Sequence, residues 1–377
     1  MDFIRDILCC GLLIAFFSIP KSEKCYRKAT KDYETYSSSG TPGDREVLKK
    51  ALENYQAALD ARAEEGNSDI AEIAIDYAVA LWTDYQRYER SSKTLDKVIK
   101  LYEAALAQWK GAVSKPEGYP NLLLNSANAY FTQYRVEKEA AALEKAISYL
   151  DELRQLKAAD ETRKNCLFLL GKVLMAAYSA NGTATDRLDD AIKYFRQALK
   201  LATPDDAEKG TEDEQDSKGA GNANFQIQCL YNLSTAYDLS YQKTTKIEDL
   251  DEAIKYNYEA RNLLASTPNH PDHAACLYNL ARQLFTKYQR SQQDKVGIAL
   301  LDTNLDGEKG VQDLNAAHRL AKEAQDMLPA ENPMRGPVDE LLAVIGQHDL
   351  ALSKHTKSLK SKSSSMDTLR SSRSSRS

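Results

Sequence analysis

Polar and apolar residues follow each other along this chain with a helical beat that is clearest at Leu250–Leu264, LDEAIKYNYEARNLL. Leu250, Ala253, Ile254 and Ala260 stand at offsets 0, 3, 4 and 10, so they share one face of a helix. The same template returns from Leu48, Leu95, Leu143, Leu188 and Leu314, with successive starts 47, 48, 45, 62 and 64 residues apart. A unit that recurs at about 45 residues predicts stacked helical repeats, each burying its apolar face against its neighbours.

A second amphipathic segment precedes each template helix and ends at Tyr36, Tyr85, Tyr134, Tyr178, Tyr241 or Tyr288. From that tyrosine to the next leucine is 12, 10, 9, 10, 9 and then 26 residues, so each unit reads as helix, turn, helix. The turns SSSGTPGD (Ser37–Asp44) and SANGTATD (Ser179–Asp186) each end in an aspartate placed to N-cap the following helix. Small residues at offsets 3 and 10 predict close helix approach, and larger ones at 0, 4 and 7 fill the space between units. The last copy is degenerate, with His318 at offset 4 and Ala321 at offset 7, as expected of a terminal unit. Leu341, Leu342 and Ile345, after Pro337, predict one more helix that closes the stack. Asn257 stands out as a polar residue in the aromatic slot at offset 7.

These residues resemble the tetratricopeptide repeat family. Leu170–Gly171 matches the small pair of its first helix, and Leu233–Ser234 with Tyr237 matches it with Ser for Gly. Ala51/Tyr55/Ala58, Val98/Tyr102/Ala105 and Ala191/Phe195/Ala198 match its second helix, and Pro204 and Pro268 sit near exits. Each helix pair here is about 45 residues, against a usual 34, so the likeness is to longer-helix relatives over roughly residues 22–330. It implies an all-α, right-handed solenoid of six helix-turn-helix repeats plus a C-terminal capping helix. It also implies a groove that holds extended peptides. Asn125, Asn232 and Asn279 share one first-helix position, and Asn128, Lys172 and Arg282 lie three residues further on the same face. Asparagine there would bond a peptide backbone, and Lys or Arg would hold a carboxylate. The other reading is that such an Asn bonds its own helix. The five-residue basic clamp of some family members is not traceable.

Composition narrows the partners. The segment Ser353–Ser377 has seven Lys or Arg against one Asp, a net +6, so the −5 of the whole chain leaves −11 for the rest. An acidic body argues against nucleic-acid binding by the array. The tail also has eleven serines and cannot build a core. It reads as a phosphorylated segment, a lipid-attracted tract, a weak nuclear or RNA-binding tract, or an unselected end. Cys166, Cys229 and Cys276 occupy equivalent positions and are expected to be small buried hydrophobes in a reducing compartment.

The expected organisation is a hydrophobic leader (1–20), the array (21–350) and the tail (351–377). Within the array, 204–222 is expected to be an acidic loop and 292–311 an insertion. The leader's uncharged run Ile7–Ile19 is 13 residues, short for a span, and holds Cys9 and Cys10 beside a following basic stretch. Three readings stand: a palmitoylated membrane anchor, a cleaved signal, or a helix on the first repeat. In the second insertion, Asp302, Asn304, Asp306, Gly307 and Asp313 have calcium-loop spacing, with Leu305, Lys309 and the final Asp as departures. No HExxH, GxSxG or Walker A motif is present, and no cofactor is expected. The chain therefore reads as a non-catalytic, cytoplasmic scaffold or adaptor for partner proteins, with a membrane surface as a second contact. The alternative is a sensor switched by calcium at 302–313 or by tail phosphorylation.

Overall fold

The computed structural model describes residues 19–38, 45–181, 185–203, 212–267, 270–298 and 306–351. Its elements are all helices among these residues. They are α1 (Lys21–Ser38), α2 (Arg45–Glu64), α3 (Ala71–Arg87), α4 (Ser92–Lys110), α5 (Tyr119–Glu137), α6 (Ala140–Gln155), α7 (Asp160–Asn181), α8 (Thr185–Ala202), α9 (Glu212–Thr244), α10 (Ile247–Leu264), α11 (His273–Ile298), α12 (Asp306–Met327) and α13 (335–351). The even-numbered helices from α2 to α12 are the six template helices, and the odd-numbered ones before them are the tyrosine-ending segments.

The chain divides into two compact units, Met1–Arg187 and Leu188–Ser377. In the first, α1 packs on α2, α3 on α4 and α5 on α6, and each pair packs on the helix that follows it. In the second, α9 packs on α10, α11 on α12, and α10 joins the two pairs through α11.

The template slots are the core of both units. At offsets 0, 3 and 10, every residue from Leu48 to Ala324 is at most 3% exposed. Offset 7 is as deep, with Tyr55, Tyr102, Leu150, Phe195, Asn257 and Ala321 all buried. Offset 4 lies nearer the margin, since Ile99, Ile192 and Ile254 are 7–8% exposed and His318 has a 49% exposed side chain. That explains how the last copy tolerates histidine. His318 Nδ1 reaches Asp349 of α13 at 3.1 Å. The alanine at 321 is buried in the same cluster as Val338 and Ile345 of α13, with Leu341 and Leu342 packed against it. The closing helix is thus present, and Pro337 lies in its first turn, where a missing N–H costs no intrahelical bond. Arg335 Nη1 donates to the Gln325 and Leu328 carbonyls at 2.9 and 2.8 Å, which satisfies the end of α12.

Several boundaries differ from expectation. Residues 212–222 are helix, as the first part of α9, rather than acidic loop; 204–211 lie outside the described residues. Likewise α11 continues to Ile298, and α12 begins at Asp306, so the second insertion is largely helical. Both stretches lack apolar periodicity, which removes a packing signal but not helix propensity, and extending an existing helix needs no new nucleus. Asp186 lies inside the first turn of α8, where it opposes the helix dipole without being the cap; Asp44 lies outside the described residues.

Two of the turns within pairs use the same device. Lys138 (φ 62°) and Thr245 (φ 56°) are left-handed, and each stands four residues after the terminal tyrosine of its helix. Their N–H groups donate to the Tyr134 and Tyr241 carbonyls, both at 2.8 Å. A side chain in this region costs about 1–2 kcal/mol, against about 0.5–1 kcal/mol of extra chain entropy for glycine. Lys138→Gly is therefore expected to stabilise the chain by about 0.5–1 kcal/mol, read as a higher urea midpoint at an unchanged slope.

Candidate functional site

Counting back from the terminal tyrosine of each first helix gives a set of equivalent slots. Nine residues back are Arg27, Asp76, Asn125, Leu169, Asn232 and Asn279; ten back are Tyr26, Ile75, Leu124, Phe168, Tyr231 and Tyr278. Within a unit, the tyrosine ten back on one first helix meets the residue nine back on the next. In the second unit, Asn279 Nδ2 donates to the Tyr231 hydroxyl at 3.0 Å. In the first, the Tyr26 hydroxyl donates to Asp76 Oδ2 at 2.6 Å. The Asn125 counterpart on α3 is Ile75, which has no polar atom to offer.

The six expected groove residues fall into two sets. Asn125, Asn128 and Lys172 belong to the first unit, and Asn232, Asn279 and Arg282 to the second, so no single site gathering all six is described. In the second unit all three are engaged internally. Asn232 donates to the Gln228 carbonyl of its own helix at 2.7 Å. Arg282 Nη2 donates to Asp238 Oδ2 at 2.6 Å, neutralising a buried carboxylate that also accepts from Gln242. In the first unit the Lys172 ammonium lies over the Phe131 and Phe168 rings at 5.8 and 5.5 Å. Asn125 and Asn128 are half-buried, one turn apart on α5, and neither amide has a hydrogen-bond partner among the described residues. Cys9 and Cys10 lie outside the described residues.

Asp76 and Glu72 are functional candidates that the search for asparagine passed over, although the same count from Tyr85 lands on Asp76. Glu72 is exposed, one turn before Asp76 on α3. Asp76 forms no ion pair among the described residues. Burial pushes its carboxyl above the ordinary 3.8, partly offset by the Tyr26 hydroxyl. Burial and then the Asp76 carboxylate raise the Tyr26 phenol.

Asn257 is fully buried and organises a polar relay. It donates to Gln283 Oε1 at 3.1 Å, Gln283 Nε2 donates to Ser234 Oγ at 2.9 Å, and the Cys276 thiol donates to Asn257 Oδ1 at 3.0 Å. The relay ties α9, α10 and α11 and fills the aromatic slot with satisfied polar atoms. Cys166, Cys229 and Cys276 are buried free thiols, and burial pushes Cys166 and Cys276 up to about 12, so they are inert.

The calcium-loop reading does not fit the helix observed there. α12 already begins at Asp306, so Gly307 and Asp313 are in helix, where a binding loop needs a sharp turn at its glycine; Asp302 and Asn304 lie outside the described residues. His270 Nε2 sits 2.9 Å from Asn224 Oδ1, and among the described residues no group of three His, Cys, Asp or Glu could hold a metal. Among the described residues no helix is long and apolar enough to cross a membrane.

Two measurements check these assignments. In a double-mutant cycle, Asn257→Ala and Gln283→Leu are expected to cost about 1–3 kcal/mol singly and less than their sum together, because each single change orphans the other partner. For Asp76, a folded-state value above the unfolded one means stability falls as pH rises through that window. Asp76→Asn is therefore expected to melt higher than the parent at neutral pH, with the difference closing as pH falls towards 3.8.

No family model matches the chain, and no curated protein matches it in sequence. Among solved structures, the S. pombe nuclear import adaptor Nro1 is similar at 14% identity, covering 86% of this chain and 98% of that one, with a TM-score of 0.43. A tetratricopeptide repeat protein from Parabacteroides merdae is similar at 13% identity over 85% and 99% of the two chains, with a TM-score of 0.37. YrrB, described as a TPR protein with an unusual peptide-binding site, is similar at 17% identity over 71% and 97%, with a TM-score of 0.37. At scores of this size the repeat type rests on the chain's own period, slots and helix pairing. By those features the chain is an all-α protein of stacked helix-turn-helix repeats.

Proposed function

We propose that the chain is a non-catalytic interaction scaffold that binds an extended peptide of a partner protein along the first-helix face of the unit Met1–Arg187. The observation that carries this reading is the pair Asn125 and Asn128. Two half-buried amides one turn apart, without a partner among the described residues, offer two donors and two acceptors to a passing backbone. The slot of Asn125 meets a tyrosine hydroxyl of the preceding first helix at Asp76 and at Asn279, and Ile75 leaves Asn125 without one. Asn232, Asn279 and Arg282 enter the proposal in a different role. Asn279 and Arg282 hold successive first helices together and Asn232 is bonded to its own helix, and a ligand would have to compete with those bonds. Lys172, stacked between two rings, marks the far end of the same face with a fixed positive charge.

Tethering through Cys9 and Cys10 is a separate part of the proposal and rests on the apolar run Ile7–Ile19 alone. Affinity capture with the full chain tests the groove. The double variant Asn125→Ala/Asn128→Ala is expected to lose at least about tenfold of its captured partners, from two lost bonds of about 1 kcal/mol each, while its melting temperature stays within a few degrees. An unchanged set of partners would sink the assignment.

A further inference from the structure

The slots twelve, eight and five residues before the terminal tyrosine are Ile73, Tyr77 and Ala80 on α3 and Leu122, Ser126 and Ala129 on α5, and all six are buried. The same slots are buried on α7, α9 and α11. They are the side by which a first helix meets the second helix before it. Tyr77 stacks on Tyr55 of α2 at 5.9 Å, and the Cys166 thiol, twelve back on α7, donates to the Leu150 carbonyl of α6 at 3.5 Å. On α1 the three slots hold Lys24, Lys28 and Lys31, all exposed and without an ion pair among the described residues. They fall within an arc of about 60° and about 10 Å of helix length. The other charges of α1 do not cancel them. Glu23 is taken by Arg27 at 2.7 Å, Asp32 is half-buried and accepts from Asn54 at 2.9 Å, and Glu34 stands at the margin of the arc. A polar side of mixed charge would be enough to end a stack in water. Three like charges on the packing side repel one another instead, and an anionic surface relieves that.

We propose that this side of α1 is a docking surface for the anionic phospholipid headgroups of a membrane, with Lys24, Lys28 and Lys31 as its contacts. The chain before α1 selects lipid among anions. The apolar run Ile7–Ile19 ends two residues before α1, and Ile19 is 43% exposed. The start of α1 is clasped to α2, by the Ser22 N–H on Glu65 at 3.0 Å and by Lys21 on Glu64 at 3.0 Å. Whatever the run enters therefore lies within about 20 Å of all three lysines. Hydrocarbon is the medium that takes up such a run, and anionic headgroups border it. This rests on the tethering part of the proposed function and deepens it. A single weak membrane signal binds only reversibly, and a polybasic surface beside it makes attachment stable. The run supplies apolar burial, while the lysines supply charge and fix how the first helix pair sits on the membrane.

The test is co-sedimentation of the full chain with vesicles of phosphatidylcholine, with and without about one-third phosphatidylserine. The seven Lys and Arg after Leu352 are changed to Gln throughout, so that the tail does not carry the binding. Lys24→Gln/Lys28→Gln/Lys31→Gln is expected to weaken binding to the anionic vesicles about a hundredfold, about fivefold per lysine, and to flatten its salt dependence. Binding to the neutral vesicles is expected to stay unchanged. Lys93→Gln/Lys100→Gln/Lys145→Gln removes three exposed lysines elsewhere in the same unit and is expected to weaken binding less than about threefold. All six positions are exposed, so loss of fold does not confound either variant. Equal losses in the two triple variants would overturn the proposal, because the charge would then act diffusely. If parent and α1 variant bind neutral and anionic vesicles alike, the run tethers alone: the tethering reading stands and the α1 surface falls. If no chain binds either vesicle, both fall. If the same three lysines hold a duplex DNA oligonucleotide more tightly than vesicles, the occupant is nucleic acid and the lipid assignment is overturned.

Discussion

Alanine at offset 3 of the template helices (Val98 in one) and at offset 10 (Leu153 in one) lets neighbouring helices close until the residues at offsets 0 and 7 interlock. A bulkier side chain at those slots would force helices apart or side chains out of their rotamers. Everything else in each unit follows from that approach. It brings successive first helices near enough for Tyr26 to reach Asp76, for Asn279 to reach Tyr231 and for Arg282 to reach Asp238, 44 to 50 residues away in sequence. A repeat array has no deep common core, so each pair relies on its neighbours. Polar clasps on the first-helix face therefore add to apolar packing on the second. In the last template helix, Ala321 and His318 replace the larger apolar residues. α13 then fills the space and bonds through Asp349.

The polar side chains on the first-helix face divide by whether the preceding helix offers a partner. Where the earlier slot is tyrosine, the later residue is bonded; where it is Ile75, Asn125 is left open. The buried relay of Asn257, Gln283, Ser234 and Cys276 shows how fully this chain satisfies polar atoms when they cannot reach water. Against that standard, Asn125 and Asn128 stand out as half-buried amides without a hydrogen-bond partner among the described residues.

Helix register was legible from the residues because period is a local property. Each of the six leucine-led helices is found where its apolar offsets place it, and Asn257 in the aromatic slot does mark a polar feature inside the stack. The insertions were misread for the same reason. A stretch such as 212–222 carries no apolar beat, yet it continues a helix whose buried part lies further on, and pattern alone is blind to such extension. Calcium-like spacing at 302–313 specifies oxygen atoms but not a backbone path, and Gly307 and Asp313 fall in the helix from Asp306.

Which asparagine is free and which is spent could not be read locally, since it depends on the residue one repeat earlier. Asn232 and Asn125 share a slot and a residue type, but one turns to its own helix and the other meets an isoleucine's position. Arg282 has the composition of a ligand-holding residue and is instead consumed by Asp238. Sequence determined the helices, their pairing and the slots that must be small, because backbone hydrogen bonding and apolar burial repeat with a fixed period. Packing between repeats decided the state of every polar group on the exposed face, because hydrogen bonds and ion pairs depend on distances of about 3 Å that no period along the chain encodes.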